Sequence, residues 1–221
     1  MHDVVIFDLD GTITRKNTYL GFLGAVLREH PWRVLGCLHL PVCVALFRAG
    51  LVSNSWLKAC FLKAVVGGLP RGNLERTAKQ FAEVVMSGYL RPGALERMNS
   101  HRDAGARIVL ATASLDVYVP QIAARLGIDP RDLICTRTHW TDTDLLTGAL
   151  RGDNCFGEMK VEAVREWLAD NGLTAVAAAY SDHHSDLPLL ALAGSPVAVN
   201  PTPALRRLAQ ARGIPVEDWG A

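Results

Sequence analysis

Short apolar runs separated by helical patterns limit the fold of this chain more than any other feature of its sequence. Four runs are rich in Val, Ile, Ala and Leu, a composition typical of strands buried on both faces of a parallel sheet. They cover residues 4–7, 107–111, 175–180 and 197–199. Helical patterns accompany them at residues 95–104, 117–126, 161–171 and 187–193. Strands that alternate with helices in this way predict a doubly wound α/β sheet.

The alternation stops between residues 15 and 86, where the sequence predicts several helices and no clear strand. A segment of this length can form a separate domain inserted after the first strand. Boundaries are predicted near Arg15 and within the linker-like Gly-Tyr-Leu-Arg-Pro-Gly at residues 88–93. We therefore expect a core domain at residues 1–14 and 89–221 and a helical domain at residues 15–88. Residues 134–150 are expected to form a small β-hairpin that turns around residues 142–144.

Polar side chains follow three of the predicted strands, at the point where each apolar run ends. They are Asp8, Thr112 and Asp182. In open α/β sheets the ligand binds at the carboxyl ends of the strands. The sequence therefore predicts a site built from these three strand ends.

Two pairs of acids at these strand ends predict a metal site. Asp8 and Asp10 are spaced by one residue in the segment Asp-Leu-Asp-Gly-Thr, so an extended backbone would point both carboxylates the same way. A second pair, Asp182 and Asp186, follows a later strand. Like charges this close need a cation to stay ionised, and Mg²⁺ prefers hard oxygen ligands such as carboxylates and phosphate.

Phosphoryl transfer also needs donors and positive charge near the transferring oxygens. Thr112 can donate its hydroxyl and backbone N–H, and Lys160 begins a predicted helix and supplies a point charge. Taken singly, Thr112 could be a helix cap and Lys160 a solvated surface charge. The order of acid pair, hydroxyl, lysine and acid pair, each beside an element boundary, favours a catalytic site.

These motifs resemble the haloacid dehalogenase superfamily of phosphohydrolases, and the resemblance covers nearly the whole chain. It implies a Rossmann-like core with an inserted all-helical type I cap, as in the phosphoserine-phosphatase-like branch, subfamily IB. It also implies that Asp8 is the nucleophile that becomes a phosphoaspartate and that Asp10 is the general acid and base. The remaining roles implied are phosphate binding by Thr112 and Lys160, Mg²⁺ binding by the Asp8 side chain, the Asp10 carbonyl and the Asp182 side chain, and support of the metal and Lys160 by Asp186.

The sequence departs from true phosphoserine phosphatases where those enzymes recognise an amino acid. Their amine-binding glutamate is matched by Asn17, and their Ser-Gly-Gly by Thr-Ala-Ser at residues 112–114. The resemblance therefore implies a Mg²⁺-dependent phosphomonoester hydrolase whose substrate is a small phosphorylated metabolite or a phospholipid head group. Phosphatidylglycerophosphate and phosphoserine phosphatase activities remain alternatives. His183 and His184 could contact substrate or fill a turn, and cap cations at positions 48, 58, 63 and 71 could bind anions.

Residues 34–47 form an uncharged, largely apolar stretch, which is too short for a membrane span because a spanning helix needs about 20 residues. Two interpretations stay open for this stretch. It could be a buried or amphipathic helix pair broken near Pro41. It could also lie on a membrane surface, because Arg28, Arg33 and Arg48 flank it and aromatic residues end it.

Composition excludes several classes of protein. With 23 basic and 22 acidic residues, no overall charge attracts nucleic acid. Five cysteines, an odd number without paired short spacings, indicate reduced thiols rather than a zinc site or disulfides. The first residues do not resemble a signal peptide, so we expect a cytoplasmic protein, with peripheral contact at the inner face of the membrane as an open alternative.

Two non-enzyme functions compete with the hydrolase. A signalling receiver domain also combines an aspartate, a hydroxyl residue, a lysine and Mg²⁺, but its phosphoacceptor follows a central strand well into the chain. Asp8 instead follows the first predicted strand and precedes a long insert. A pseudoenzyme that binds lipid or protein is the other alternative, and the intact set of catalytic residues argues against it. The sequence contains no feature that predicts a particular oligomeric state.

Overall fold

A computed structural model describes residues 3–220 of the chain. Its main sheet has six parallel strands in the spatial order β3-β2-β1-β6-β7-β8, and a two-stranded antiparallel hairpin, β4–β5, lies apart from it. The strands are β1 (Val4–Phe7), β2 (Arg107–Leu115), β3 (Leu133–Thr136), β4 (Thr138–Trp140), β5 (Leu146–Leu150), β6 (Val176–Ser181), β7 (Ala193–Val199) and β8 (Val216–Glu217). The predicted doubly wound α/β fold is confirmed.

Helices cover the sheet and fill the long interval after β1. Within that interval lie α1 (Thr18–Glu29), a 3-10 helix (Pro31–Cys37), α2 (Leu40–Arg48), α3 (Asn54–Val66) and α4 (Arg71–Gly88). The core helices are α5 (Pro92–Asp103), α6 (Val119–Arg125), α7 (Glu158–Asp170), α8 (Leu187–Leu192) and α9 (Pro203–Arg212), with short 3-10 turns at Pro130–Asp132 and His184–Asp186. The first group falls in the range expected for a helical cap, and the exact domain division stays a prediction.

The first strand is buried on both faces, which explains its uninterrupted apolar sequence. Val5 and Phe7 pack into a core cluster shared with α1, α4, α5 and α6. Val4 and Ile6 point the other way, into a cluster with α7, α8 and α9. Successive side chains of a strand point to opposite faces, so a central parallel strand needs apolar residues at every position.

The sheet extends further than the apolar runs indicate. β2 continues to Leu115 and β7 begins at Ala193. Residues 134–136 were expected to begin the hairpin, but with Leu133 they form β3 and pair with β2 in the main sheet. The hairpin itself starts at Thr138 and turns around residues 142–144 as predicted. The short edge strand β8 follows α9 and has no apolar run that would indicate it.

The cap helices rest on the hairpin. Helix α3 packs against β5 so closely that a Cβ atom on Gly148 would lie 2.5 Å from Lys63 Cα. Arg71, at the start of α4, donates to Asp144 Oδ1 at 2.9 Å and stacks over the Trp140 ring. These contacts hold the cap over the carboxyl ends of the central strands.

The uncharged stretch at residues 34–47 is mostly exposed. It comprises part of the 3-10 helix and most of α2, and only Leu40 and Cys43 are buried within it. The 3-10 helix ends at Cys37 and α2 begins at Leu40, so two helices meet close to Pro41, as one of the two open interpretations had them. Within residues 3–220, no helix has the length and apolarity needed to cross a membrane.

Candidate active site

The predicted site residues meet where the sheet order reverses. From β1, the strands β2 and β3 extend to one side and β6, β7 and β8 to the other. Asp8 directly follows β1, and its backbone N–H donates to Tyr180 O in β6 at 3.0 Å. Thr112 lies in β2, and Asp182 directly follows β6. A crevice at such a switch point is the usual ligand site of an open α/β sheet.

Lys160 joins the acids at the bottom of this crevice. Its side chain is buried in the first turn of α7, and Nζ donates to Asp8 Oδ1 at 2.8 Å and to Asp186 Oδ2 at 2.7 Å. Ser181 Oγ donates to the same Asp186 oxygen at 2.8 Å. Burial alone would lower the pKa of Lys160, but the carboxylates of Asp186 and Asp8 outweigh it and raise that pKa. The ammonium therefore stays charged over the whole working range of pH.

The acids outnumber the lysine, and this excess fits a cation. Burial raises the pKa of Asp8, and neighbouring Asp186 and Asp182 add to the effect against the opposing charge of Lys160. Burial and the charge of Asp186 raise the pKa of Asp182 to about 7. Asp182 Oδ1 and Asp186 Oδ1 are buried and have no hydrogen-bond partner among residues 3–220. Buried carboxylate oxygens without partners are costly unless a cation approaches them.

Gly11 leaves the space in which the Asp182 carboxylate lies. Its φ is +88°, and a Cβ atom at this position would lie 2.2 Å from Asp182 Oδ2. In the described part of the chain, no group of three His, Cys, Asp or Glu side chains forms a ready-made metal cluster. Mg²⁺ does not require one, because it commonly takes one or two carboxylates and keeps several waters. Two carboxylates and a backbone carbonyl, the set expected here, fit that preference.

Asp10 has partners different from those of Asp8. One carboxylate oxygen accepts from the backbone N–H of Thr18, and the other accepts from Ser114 Oγ at 2.6 Å. Tyr118 OH in turn donates to Ser114 Oγ at 2.7 Å. Burial raises the pKa of Asp10, although these hydrogen bonds oppose the shift. A carboxyl group held in this way can keep a proton for transfer to a leaving group.

Thr112 is buried beside this network and lines the cavity. Its Oγ1 accepts from Ser114 N at 3.1 Å, so its own hydroxyl proton remains for another acceptor. Sequence reasoning identified Thr112 and missed Ser114, Tyr118 and Thr18. The one available signal was the spacing of Thr112 and Ser114, which places both hydroxyls on the same face of β2.

Lys58 is the cap residue that reaches the site. From α3, its Nζ donates to Ala113 O and to Asn154 Oδ1, both at 2.6 Å. Burial lowers its pKa to about 8, against the opposing charge of Asp10. Asn154 Nδ2 donates back to Asn54 Oδ1 at 3.0 Å, so α3 is joined to the core at two points. Of the other cap cations, Arg48 and Lys63 are exposed and Arg71 is paired with Asp144.

We use the term catalytic floor for Asp8, Lys160, Asp182 and Asp186 at the bottom of the crevice. A cavity of about 740 Å³ connects this floor with the cap. All six residues predicted for the site, at positions 8, 10, 112, 160, 182 and 186, line it. Its cap wall is largely apolar and consists of Asn17, Tyr19, Leu20, Val44, Phe47, Asn54, Leu57, Lys58 and Phe61. His183 and His184 also line it, and His183 Nδ1 bonds to Ser185 Oγ at 2.8 Å, which supports a role in the turn.

Comparison with known proteins agrees with this geometry. The family model of haloacid dehalogenase-like hydrolases matches residues 5–191 of the chain. The chain belongs to this family. The predicted superfamily and the phosphoserine-phosphatase-like fold are thereby confirmed, and the chain is a hydrolase of this family.

Relatives of this haloacid dehalogenase-like hydrolase have diverse names. Protein CicA of Caulobacter vibrioides is 33% identical over 190 residues, covering 86% of this chain and 82% of the relative. Phosphoserine phosphatase SerB1 of Mycobacterium tuberculosis is 29% identical, covering 96% of this chain and 70% of the relative. A histidinol-phosphatase of Neisseria meningitidis is 27% identical, with 98% of both chains covered.

Solved structures show the same architecture. A Bordetella pertussis protein of unknown function has a TM-score of 0.82 and 27% identity, with both chains fully covered. A substrate-bound phosphoserine phosphatase has a TM-score of 0.68 at 18% identity, covering 99% of this chain and 94% of that one. The second likeness is one of fold.

Proposed function

We propose that this enzyme is a Mg²⁺-dependent phosphomonoester hydrolase that acts through a phosphoaspartate on Asp8. The observation that carries the proposal is the bridge from Lys160 to Asp8 and Asp186, beside acid oxygens without partners. The Asp8 and Asp182 side chains and the Asp10 carbonyl would hold Mg²⁺, and Asp186 would support both the metal and Lys160. Bound Mg²⁺ would offset negative charge on the phosphoryl oxygens.

Each residue has a role in a two-step displacement. Asp8 attacks phosphorus, so that a carboxylate O–P bond forms as the ester P–O bond breaks and Asp10 gives its proton to the departing alcohol. Water then attacks the phosphorus of the phosphoaspartate while Asp10 takes a proton from that water. Inorganic phosphate leaves and Asp8 is regenerated. Lys160 and the Thr112 hydroxyl bind the transferring oxygens throughout.

The cap supports a substrate with an apolar part as well as a phosphate. Asn17 accepts from Leu20 N at 2.9 Å and caps α1, so its side chain does not replace the amine-binding glutamate of phosphoserine phosphatases. The cavity wall instead offers aromatic and aliphatic side chains and the single cation of Lys58. A small phosphorylated metabolite or a phospholipid head group such as phosphatidylglycerophosphate fits this wall better than phosphoserine.

The chain is proposed to act in the cytoplasm. All five cysteines are free thiols in the structure, which supports a reducing compartment. Burial raises the pKa of Cys135 to about 12 and that of Cys155 to about 11, so these thiols are not reactive nucleophiles.

Phosphate release from a generic aryl phosphate, followed by a panel of phosphorylated metabolites and phospholipids, tests the proposed function. Activity should require Mg²⁺, disappear with a chelator and return when Mg²⁺ is added back. Asp8→Asn should abolish it, whereas Asp170→Asn, an exposed aspartate at the end of α7, should not. Inorganic phosphate should accumulate one for one with the alcohol, because a shortfall would indicate transfer to another acceptor. No aryl phosphate turnover by the wild type would favour the receiver-like or pseudoenzyme alternatives.

A further inference from the structure

Exposed apolar side chains are concentrated in one part of the cap. Of the twelve large hydrophobic side chains exposed in the described part of the chain, eight lie between residues 32 and 56. We use the term apolar cap face for Trp32 (63% exposed), Leu35 (72%), Leu38 (74%), Val42 (62%), Leu51 (70%) and Trp56 (41%). Single exposed hydrophobic residues are ordinary, but such a concentration on the surface marks an interaction site.

The helices that carry this face are packed against one another, so its side chains are held in fixed positions relative to one another. The 3-10 helix and α2 both pack on α3. Arg33 of the 3-10 helix also donates to Gly67 O, just after α3, at 2.9 Å. Leu40 and Cys43 of α2 are buried, whereas Val42 is exposed. The cap thus has its own buried contacts and does not need the apolar cap face for its packing.

The charge within the segment that carries this face has a single sign. From His30 to Leu74 the sequence contains no Asp or Glu, a run of 45 residues with five Lys and Arg. Arg33, Lys58 and Arg71 are engaged in hydrogen bonds or an ion pair. Arg48 and Lys63 remain exposed, and Arg28 is exposed just before the run. A partner for this surface must offer apolar contact together with negative charge.

A second copy of the chain does not meet that requirement. In a two-fold symmetric dimer the same patch meets itself, so Arg48 and Lys63 would approach their own copies, and the segment from His30 to Leu74 has no acid to pair with them. A bilayer that contains anionic lipids offers hydrocarbon for the apolar side chains and negative head groups for the basic ones. Tryptophan, present at both ends of the face, is the side chain that membrane–water interfaces enrich.

We propose that the apolar cap face docks on an anionic membrane surface, with Arg28, Arg48 and Lys63 at the head-group level. The cavity wall and this face share helix α2, because Phe47, which is 36% exposed, lines the cavity and Val42 belongs to the face. Docking therefore brings this wall of the cavity close to lipid head groups. The proposal concerns binding and holds whether or not Asp8 is a nucleophile.

Vesicle flotation tests the proposal on the full chain. Vesicles of phosphatidylcholine alone are compared with vesicles of phosphatidylcholine and phosphatidylglycerol, at low and high salt. The protein should float with the anionic vesicles only, and high salt should weaken its binding. The double variant Leu35→Ser/Leu38→Ser should lower vesicle partitioning about tenfold or more. Arg28→Glu/Arg48→Glu should lower it on anionic vesicles to the level seen on neutral ones.

Matched controls separate docking from a general change of surface or fold. Val84→Ser on α4 removes an exposed apolar side chain elsewhere, and Arg165→Glu on α7 reverses an exposed charge elsewhere. Both should float like the wild type. Asp8→Asn should also float like the wild type, so loss of catalysis and loss of docking are distinguished. Equal flotation of the wild type and the double leucine variant overturns the proposal. A second result also overturns it: the wild type does not bind vesicles but forms a dimer in sedimentation velocity, and Leu35→Ser/Leu38→Ser is a monomer.

Discussion

The catalytic floor and the apolar cap face differ in what they bury and what they expose: the floor buries charged groups, and the cap face exposes apolar ones. The floor buries two acids, Asp8 and Asp186, and the buried Lys160 donates to both of them. The cap face exposes large apolar side chains within a run that has no acid at all. Buried charge of this kind is costly and persists where chemistry needs it, while exposed apolar surface persists where a partner covers it. We therefore propose that the core determines the reaction and that the cap determines the substrate and the place of the reaction.

The largest effect is expected from Lys160→Met. It leaves Asp8 and Asp186 buried without their cation and should lower kcat at least about a thousandfold. In metal-free buffer it should also lower the free energy of unfolding by about 3–5 kcal/mol, the usual result of removing one partner of a buried ion pair. Urea denaturation measures the stability. Lys79→Met, an exposed lysine on α4, should change it by less than about 0.5 kcal/mol. Similar values for both variants would contradict the view that the floor depends on this charge.

A smaller effect, confined to the metal, is expected from Asp182→Asn. The amide keeps the shape of the side chain and loses its charge, so the Mg²⁺ concentration for half-maximal activity should rise about tenfold to a hundredfold. Saturating Mg²⁺ should restore part of kcat. Titration of activity with Mg²⁺ measures this. An unchanged Mg²⁺ requirement would place the metal elsewhere.

Lys58→Gln tests a contact between the cap and the catalytic site. Among residues 3–220, the lysine is the only cap cation that lines the cavity, so its loss should raise KM for an anionic substrate about tenfold with a smaller change in kcat. Lys63→Gln, an exposed lysine on the same helix, should leave KM unchanged. A larger loss in kcat than in KM would instead indicate a direct role in the chemical step.

The pH profile gives a second readout for Lys58. Burial lowers its pKa to about 8, so the protonated form is lost as pH rises through that value. The kcat/KM of the wild type should therefore fall above a pH of about 8, and this decline should be absent from Lys58→Gln. Lys160 does not produce it, because its pKa is raised. A decline of equal size in both proteins would assign it to another group.

The smallest effect is expected from Leu35→Ser/Leu38→Ser acting on a soluble substrate. Neither leucine lines the cavity, so kcat/KM for an aryl phosphate should stay within about twofold of the wild type. Steady-state kinetics without vesicles measure this. A larger loss would show that the cap face and the floor are not independent.

Local sequence patterns predicted the floor well, because its geometry follows from the sheet. Buried parallel strands need continuous apolar runs, and the residues after them must lie at one edge, so Asp8, Thr112 and Asp182 could be placed together. Lys160 lies in the first turn of α7, as predicted, and from there its ammonium pairs with both Asp8 and Asp186. β3 was assigned to the hairpin because its four residues are too short and mixed to indicate which strand they pair with.

Contacts between side chains far apart in the sequence could not be predicted, because they depend on how two distant segments are packed. Within the core, Ser114 reaches Asp10 across 104 positions, and Lys58 of the cap reaches Asn154 of the core across 96. The exposure of residues 34–47 was also beyond sequence reasoning. An apolar helix that is buried and one that covers the surface have the same composition, so both interpretations had to stay open.

Trapping of the phosphorylated enzyme tests the central claim most directly. The protein is mixed with an aryl phosphate and Mg²⁺, quenched in acid within a turnover, digested and analysed by mass spectrometry. We predict one phosphoryl group on the peptide that contains Asp8, labile to hydroxylamine as acyl phosphates are, and absent from Asp8→Asn. Full turnover of the substrate with no phosphorylated peptide at any quench time, or a phosphoryl group on another residue, would contradict Asp8 as the nucleophile.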